Sequence, residues 1–483
     1  MAAADRISEL HDSILTHILS YLPTKEAVRT QILSKRWRNV WASVPVLDIN
    51  FADFWYDYIN SCLTYTTFVS GYSEFHEKFV KFVDTVLASR QVQQVDRFKQ
   101  VNFNHHHHLP VRRWIHHVVQ QLPRVLSIYL RPRLDWVDII PDPIFTCSSL
   151  EEIKLQVKNR AGHSIWLDRL NPMVVTLPHL RRLNLGHFKI EADFMDKLLL
   201  GCPILEEVEL CACWLDMSQI SCDNLMSLII NGCYHSTAIE VSIPSLQYLK
   251  VTVMSSQPEG FVFKNMSSLV KASICLLDVY DLDAVIFDSE AKILAGLLGV
   301  TTLDIVLCGL GAEGMLEHIL ETCPHFENLK FMNFESFDGC CINVVDRLVD
   351  RLVQHSPALK EVTVYGCQGI VAEEIVFLEE LIKLLGEYDI LLLVERHQGS
   401  TYGSLSELKE FSHEHMNLVE LIGWAAADEE DGEENEGGVW WEDEEGDEGE
   451  ASSVEEEGED EADEYEGGAM EEGEEMVEEL DDE

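Results

Sequence analysis

The run Leu198-Leu199-Leu200-Gly201-Cys202-Pro203-Ile204-Leu205-Glu206-Glu207-Val208-Glu209-Leu210 decides the architecture. The leucines read as the end of a helix. Gly201 is placed to stop it, and Pro203 cannot continue it. Beyond the proline the apolar residues change period. Leu205, Val208 and Leu210 read apolar-x-x-apolar-x-apolar, a short strand whose alternate side chains point inward. The same phrase returns at Ile319-Leu320-Glu321-Thr322-Cys323-Pro324-His325-Phe326 and at Leu352-Val353-Gln354-His355-Ser356-Pro357-Ala358-Leu359. A unit of this size cannot bury its own apolar face, so copies must stack.

Working outward, the strand pattern occurs at Val44/Leu47/Ile49, Phe98/Val101/Phe103, Val125/Ile128/Leu130, Leu150/Ile153/Leu155 and Leu180/Leu183/Leu185. It goes on through Leu205/Val208/Leu210, Leu225/Leu228/Ile230, Leu246/Leu249/Val251, Leu269/Ala272/Ile274, Val300/Leu303/Ile305, Phe326/Leu329/Phe331 and Leu359/Val362/Val364. From Leu150 to Leu359 the steps are 30, 25, 20, 21, 23, 31, 26 and 33 residues. This is the strand signature and spacing of leucine-rich repeats with insertions. An α/β solenoid is expected over 46–395. The gap after Ile49 predicts a helical insertion over Phe51–Arg90. Ile390-Leu391-Leu392-Leu393-Val394 reads as the last strand, and 396–427 as a cap or linker.

Ahead of the repeats, residues 1–45 read as three short helices. Ile14, Leu15, Ile18, Leu19 and Leu22 carry helical spacing. Pro23-Thr24 breaks the run, a second helix is expected from Lys25 to about Gln31, and a third after Ser34 as N-cap, with Trp37 and Trp41 on one face. So small a unit cannot enclose all these apolar side chains. It either packs on the next domain or offers a surface to a partner.

These residues resemble a known family. Ile7-Ser8-Glu9-Leu10, the run from Ile14 through Leu22-Pro23-Thr24-Lys25-Glu26-Ala27-Val28, and Leu33-Ser34-Lys35-Arg36-Trp37-Arg38-Asn39-Val40-Trp41 are similar to a plant-type F-box. With the repeats, the chain resembles plant F-box proteins with leucine-rich repeats, and about 326–366 is loosely similar to their FBD module. The resemblance implies a non-catalytic substrate-recognition subunit of a Skp–cullin–F-box ubiquitin ligase. The F-box would bind a Skp-type adaptor, and through it a cullin-RING ligase, while the repeats hold a protein substrate. The adaptor-contact candidates are Leu10, Ile14, Leu15, Ile18, Leu19, Leu22, Pro23, Val28, Leu33 and Trp37; some of these must instead form the domain's own core, and Trp41 is placed to pack on the first repeat. The family has Leu-Pro where this chain has Leu10-His11, which loses a preset φ at a helix start. A scaffold independent of the ligase is therefore the alternative.

Charge is unevenly spread. The 483 residues carry a formal net charge of -50. Of this, 8 Asp and 24 Glu without Lys or Arg lie in 428–483, leaving -18 on the rest. Nucleic-acid binding is disfavoured, because it requires basic patches that displace counterions. The segment 428–483 reads as a disordered, solubilising tail; histone-chaperone-like binding of a basic protein is its alternative reading. No apolar stretch reaches the roughly 18–20 residues of a membrane span, and no secretory signal is recognised. A nuclear or cytoplasmic protein with its 13 cysteines reduced is expected.

Candidate chemistry is sparse. His105-His106-His107-His108 with His116 and His117 lacks the spacing of a defined metal site. It reads as a loop and helix, with no metal and no cofactor. Cys211, Cys213, Cys222, Cys233 and Cys340-Cys341 read as small core residues rather than ligands. Gly309-Leu310-Gly311-Ala312-Glu313-Gly314 lacks the strand–turn–helix context of a dinucleotide site. No nucleophile elbow, phosphate loop or zinc-protease helix occurs, so an enzyme is not expected.

Overall fold

A computed structural model describes residues 7, 10–61, 65–90, 94–102, 108–130, 140–157, 168–254, 260–277, 290–308, 323–336, 349–365, 381, 383–386, 388, 390–395 and 419–422. His105–His107, Gly309–Gly314, Cys340-Cys341 and the acidic run 428–483 lie outside them.

The main sheet has fourteen parallel strands in simple sequential order. They are β1 (Val46–Asn50), β2 (Arg97–Asn102), β3 (Val125–Leu130), β4 (Glu152–Val157), β6 (Arg182–Gly186), β8 (Glu207–Cys211), β11 (Ser227–Asn231), β14 (Tyr248–Met254), β16 (Lys271–Leu277), β17 (Thr302–Cys308), β18 (Phe331–Ser336), β19 (Glu361–Tyr365), β20 (Leu391–Glu395) and β21 (Val419–Ile422). Every expected repeat supplies one strand, but three differ in register: Phe98 and Gln100, Leu126 and Ile128, and Met332 and Phe334 take the inward places, so Phe331, expected to point inward, is exposed. Two side sheets close the opposite wall: β5 (Asp168–Arg169), β7 (Phe188–Glu191), β9 (Trp214–Asp216) and β12 (Tyr234–His235) in one, and β10 (Gln219–Ser221), β13 (Ile239–Ser242) and β15 (Phe261–Lys264) in the other. The sheet also passes the expected end: β21 pairs with β20, so Leu391–Glu395 does not cap the solenoid and part of 396–427 extends it.

Register explains the stacking. One inward row runs Ile49, Gln100, Ile128, Leu155, Leu185, Leu210, Ile230, Val251, Ile274, Ile305, Phe334, Val364. All are buried, and Gln100 alone is polar. Each large apolar member contributes up to about 1.5–3 kcal/mol. Such stacking makes stability a sum of neighbour terms.

The corner after each strand has its own rule. His187, Ala212 and Gly232 hold φ of 62°, 48° and 58° at the same place in successive coils. Each turns the chain so that the next residue, Phe188, Cys213 or Cys233, enters the core. Gly232 does this without a Cβ penalty, whereas Ala212 and His187 pay it.

Gly201 works differently from expectation. It ends the helix α7 (Ala192–Gly201) without a left-handed φ. A Cβ there would collide with Val175 O and lie 2.7 Å from Val175 C. Close approach of a neighbouring backbone, rather than a cap, requires the glycine.

The N-terminal unit contains α1 (Asp12–Leu19), α2 (Thr24–Arg29), a 3-10 turn Thr30–Ile32, α3 (Trp37–Val40) and a 3-10 turn Trp41–Ser43. Ser34 is not the N-cap of α3, which starts at Trp37 after Arg36. The insertion forms α4 (Phe51–Ser61) and α5 (Tyr65–Ala88). With α6 (His108–Val119) they cover the first coils through Phe51, Phe79 and Trp114, whose indole donates to Asp84 Oδ1 at 2.7 Å. No helix among the described residues is long and apolar enough to cross a membrane.

Candidate functional site

Helix α1 divides the contact candidates between two faces. Leu15 and Leu19 are buried with Ala27, Trp37, Val40 and Val44 in a small separate core. About 100° around the helix axis, Ile14 is 47% exposed and Ile18 44%. Positions i and i+4 share a helix face, so these two isoleucines form one apolar stripe facing away from the core. Leu22 and Leu33 are also exposed. Leu10 packs against the small core, Pro23 is half-buried, and Val28 packs against the solenoid core instead.

The structure therefore brings together Ile14 and Ile18 as free surface and assigns Leu15, Leu19 and Trp37 to internal packing. Substituting Leu15 or Trp37 tests folding rather than docking. Three exposed apolar residues were absent from the candidates: Ile7, Tyr21 and Ile32, the last 84% exposed. The adjacent apolar pair Ile32-Leu33 amid polar residues was the available signal.

The helix start is held despite the missing proline. His11 takes φ -64°, the value proline would impose. Its Nδ1 accepts the Ser13 N–H at 3.3 Å, a cap that proline could not supply. Arg36 pairs with Asp12 at 2.6 Å and also donates to Leu10 O, tying α1 to the turn before α3.

A polar clamp fixes this unit to the first coil. Lys25 is almost fully buried; its ammonium donates to Asp53 O, pairs with Asp57 at 2.7 Å and lies 4.8 Å from the Phe54 ring centroid. Arg29 reaches Asp57 at 2.9 Å, and Thr24 Oγ1 accepts the Asp48 N–H at 2.8 Å. The hydrogen bond from Lys25 holds the Asp57 carboxyl below its ordinary range. Trp41 packs partly buried against both cores, as its position predicted.

Among the described cysteines, Cys147, Cys202, Cys213, Cys233 and Cys323 are buried, whereas Cys211 and Cys222 are half-buried. Cys213 Sγ donates to Leu185 O at 3.4 Å and Cys233 Sγ to Leu210 O at 3.2 Å, each reaching the strand of the preceding coil. This is the Asn/Cys position of the repeat consensus, three residues after the last strand apolar. Burial pushes the Cys202 thiol up to about 12, and burial aided by Glu209 does the same to Cys211, so neither is a ready thiolate. His116 and His117 are exposed on α6 and lie beside Gln120 and Gln121. Among the described residues no cluster of three metal-ligating side chains occurs.

The outward face of the main sheet differs along its length. Over β1–β8 it is largely self-paired: Lys99–Asp48 at 3.2 Å, Arg182–Glu152 at 2.7 Å, Gln156 to Asn184 at 3.2 Å and Asn184 to Glu209. On its rim Arg124 forks between Asp96 at 3.4 Å and Glu151 at 2.9 Å, and Arg181 pairs with Glu206.

Comparisons with known proteins agree with this division. The sequence model of the F-box domain matches residues 7–48. A second model, described as FBD-associated F-box protein At5g56370, LRR repeats, matches residues 111–272. Among Arabidopsis thaliana proteins, F-box/LRR-repeat protein At3g58930 is 27% identical over 364 residues, spanning 69% of this chain and 72% of that protein. F-box/LRR-repeat protein At3g58940 is 29% identical over 69% of this chain and 51% of that protein. F-box/FBD/LRR-repeat protein At1g78750 is 25% identical over 78% of this chain and 93% of that protein. The chain carries an F-box domain followed by a leucine-rich-repeat solenoid, the architecture of a non-catalytic adaptor.

Proposed function

We propose that the chain is the substrate-recognition subunit of a Skp–cullin–F-box ubiquitin ligase, acting in the nucleus or cytoplasm. The observation that carries this reading is the exposed stripe of Ile14 and Ile18 on a domain whose own core is already complete. Exposed apolar groups on a satisfied core mark a docking site. With Leu22 and Leu33 they would seat against a Skp-type adaptor, which links to the cullin-RING ligase. The solenoid then holds a protein substrate. The proline-like φ of His11 and its side-chain cap support this reading over a ligase-independent scaffold, because they hold the helix start where the sequence has Leu10-His11.

The test is capture of a Skp-type adaptor by the full-length chain. Ile18→Asp with Leu33→Asp should abolish capture while leaving the melting temperature unchanged, since both side chains are exposed. Failure of the intact, folded wild-type chain to capture any Skp-type adaptor refutes the proposal.

A further inference from the structure

Among the described residues no ion pair joins outward side chains of β18–β20, in contrast to Lys99–Asp48 and Arg182–Glu152 over β1–β8. The rows of this outward face in register are Phe331, Glu361, Leu391; then Asn333, Thr363, Leu393; then Glu335 beside Tyr365. Phe331 is 38% exposed, and Leu391 and Leu393 are half-buried. Neither Glu335 nor Glu361 meets a basic side chain among the described residues. The neighbouring Asp304 on β17, by contrast, is neutralised by Lys271 at 2.7 Å and bound by Asn333 at 2.6 Å.

We propose that this face of β18–β20 binds an extended, lysine- or arginine-bearing segment of the substrate protein with an apolar residue beside one of its cations. The proposal rests on the reading that the solenoid holds substrate. Phe331 and Leu391 flank Glu361 in one row and supply the apolar floor, while Glu361 and Glu335 supply the charge. One strand spacing and four residues of rise separate the two carboxylates by about 14 Å. An extended partner spans that distance with cations about four positions apart. Complementary charge sets partner choice and encounter rate, and the exposed aromatic provides the anchor.

The test uses the full-length chain and a fluorescent glycine–serine peptide. It carries two lysines about four positions apart and a leucine beside the first. Glu335→Lys with Glu361→Lys should weaken binding about tenfold or more, and Phe331→Ser should weaken it independently. Removing the leucine from the peptide should cancel the Phe331→Ser effect. Reversing an equal charge in the acidic run, Glu455→Lys with Glu456→Lys, should change affinity less than about twofold. Equal losses from both reversals, or none from the sheet pair, overturn the proposal. Should the lysine pair disturb folding, Glu335→Gln with Glu361→Gln must still weaken binding; an unchanged affinity overturns the proposal. Adaptor capture is scored on the same samples. Its absence in the wild type strikes the ligase reading, whereas unchanged peptide binding in the sheet variants strikes this one.

Discussion

Gln100 sits at 0% exposure in the inward row between Ile49 and Ile128. Both its Oε1 and its Nε2 are buried without a hydrogen-bond partner. An amide removed from water and left unpaired costs about 1–3 kcal/mol on protein mutational scales. Methionine has nearly the same length, is unbranched and flexible enough to fill the amide's place, and carries no such cost, so Gln100→Met should stabilise the first coils by about 1–3 kcal/mol. Thermal midpoints of a stacked solenoid can mix several transitions, so the local measurement is hydrogen exchange of the β2 amides, Arg97–Asn102. Exchange through coil opening should slow by about fivefold to 150-fold, since 1.4 kcal/mol is a factor of ten. Gln100→Glu, which puts a carboxylate in the same place, should speed it sharply. Faster exchange in Gln100→Met would refute the reasoning and show that the amide is satisfied in solution.

Other consequences follow from single positions. Gly201→Ala drives a Cβ into the Val175 backbone, which cannot rotate away; it should cost about 1–3 kcal/mol or more in urea unfolding, and an unchanged midpoint counts against the close approach. At the corners, Ala212→Gly should stabilise and Gly232→Ala destabilise, each by roughly 1 kcal/mol, from their φ of 48° and 58°. The Asp57 carboxyl is held below its ordinary value by Lys25. Its contribution is therefore present above the unfolded carboxylate pKa, and is lost as pH falls through the lowered folded value. Lys25→Met should remove that part of the acid sensitivity, read as protease cleavage between the F-box and the solenoid. His11→Pro should leave stability within about 1 kcal/mol, because φ is already -64° and only the side-chain cap is lost.

The strands are legible because apolar residues must stack at a regular spacing, but register is less so: at β2, β3 and β18 extra apolar residues such as Val125 and Phe331 offer a second match to the same pattern. Boundaries in the F-box were also less legible. Ser34 has the chemistry of an N-cap, yet the turn around Arg36 delays α3 to Trp37, where Arg36 can reach Asp12 and Leu10 O. The side sheets were missed because two- to four-residue strands such as Asp168–Arg169 and Tyr234–His235 are too short to show a period. The role of Gly201 was also beyond sequence. A helix-ending glycine suggests a cap, and only the position of Val175 reveals the crowding.

The docking candidates show the same limit in its functional form. Helical spacing placed Ile14, Leu15, Ile18 and Leu19 in one apolar run without ordering them around the axis relative to a core. Burying both pairs internally would need more partner surface than a unit of this size has. The core therefore takes Leu15 and Leu19, where Trp37 and Val40 close over them. The adjacent stripe, about 100° around the axis, is left over as a geometric consequence, and Ile14 and Ile18 are it. Lys25 and Arg29 anchor the neighbouring helix α2 to Asp57 on α4. A partner seated on the stripe would thus grip an element already braced against the first coil, so loosening the clamp should blur the position of the repeats relative to that partner without weakening its grip on the isoleucines. Lys25→Met with full adaptor capture but reduced substrate modification is the expected pairing, and parallel loss of both would show that the clamp shapes the stripe itself.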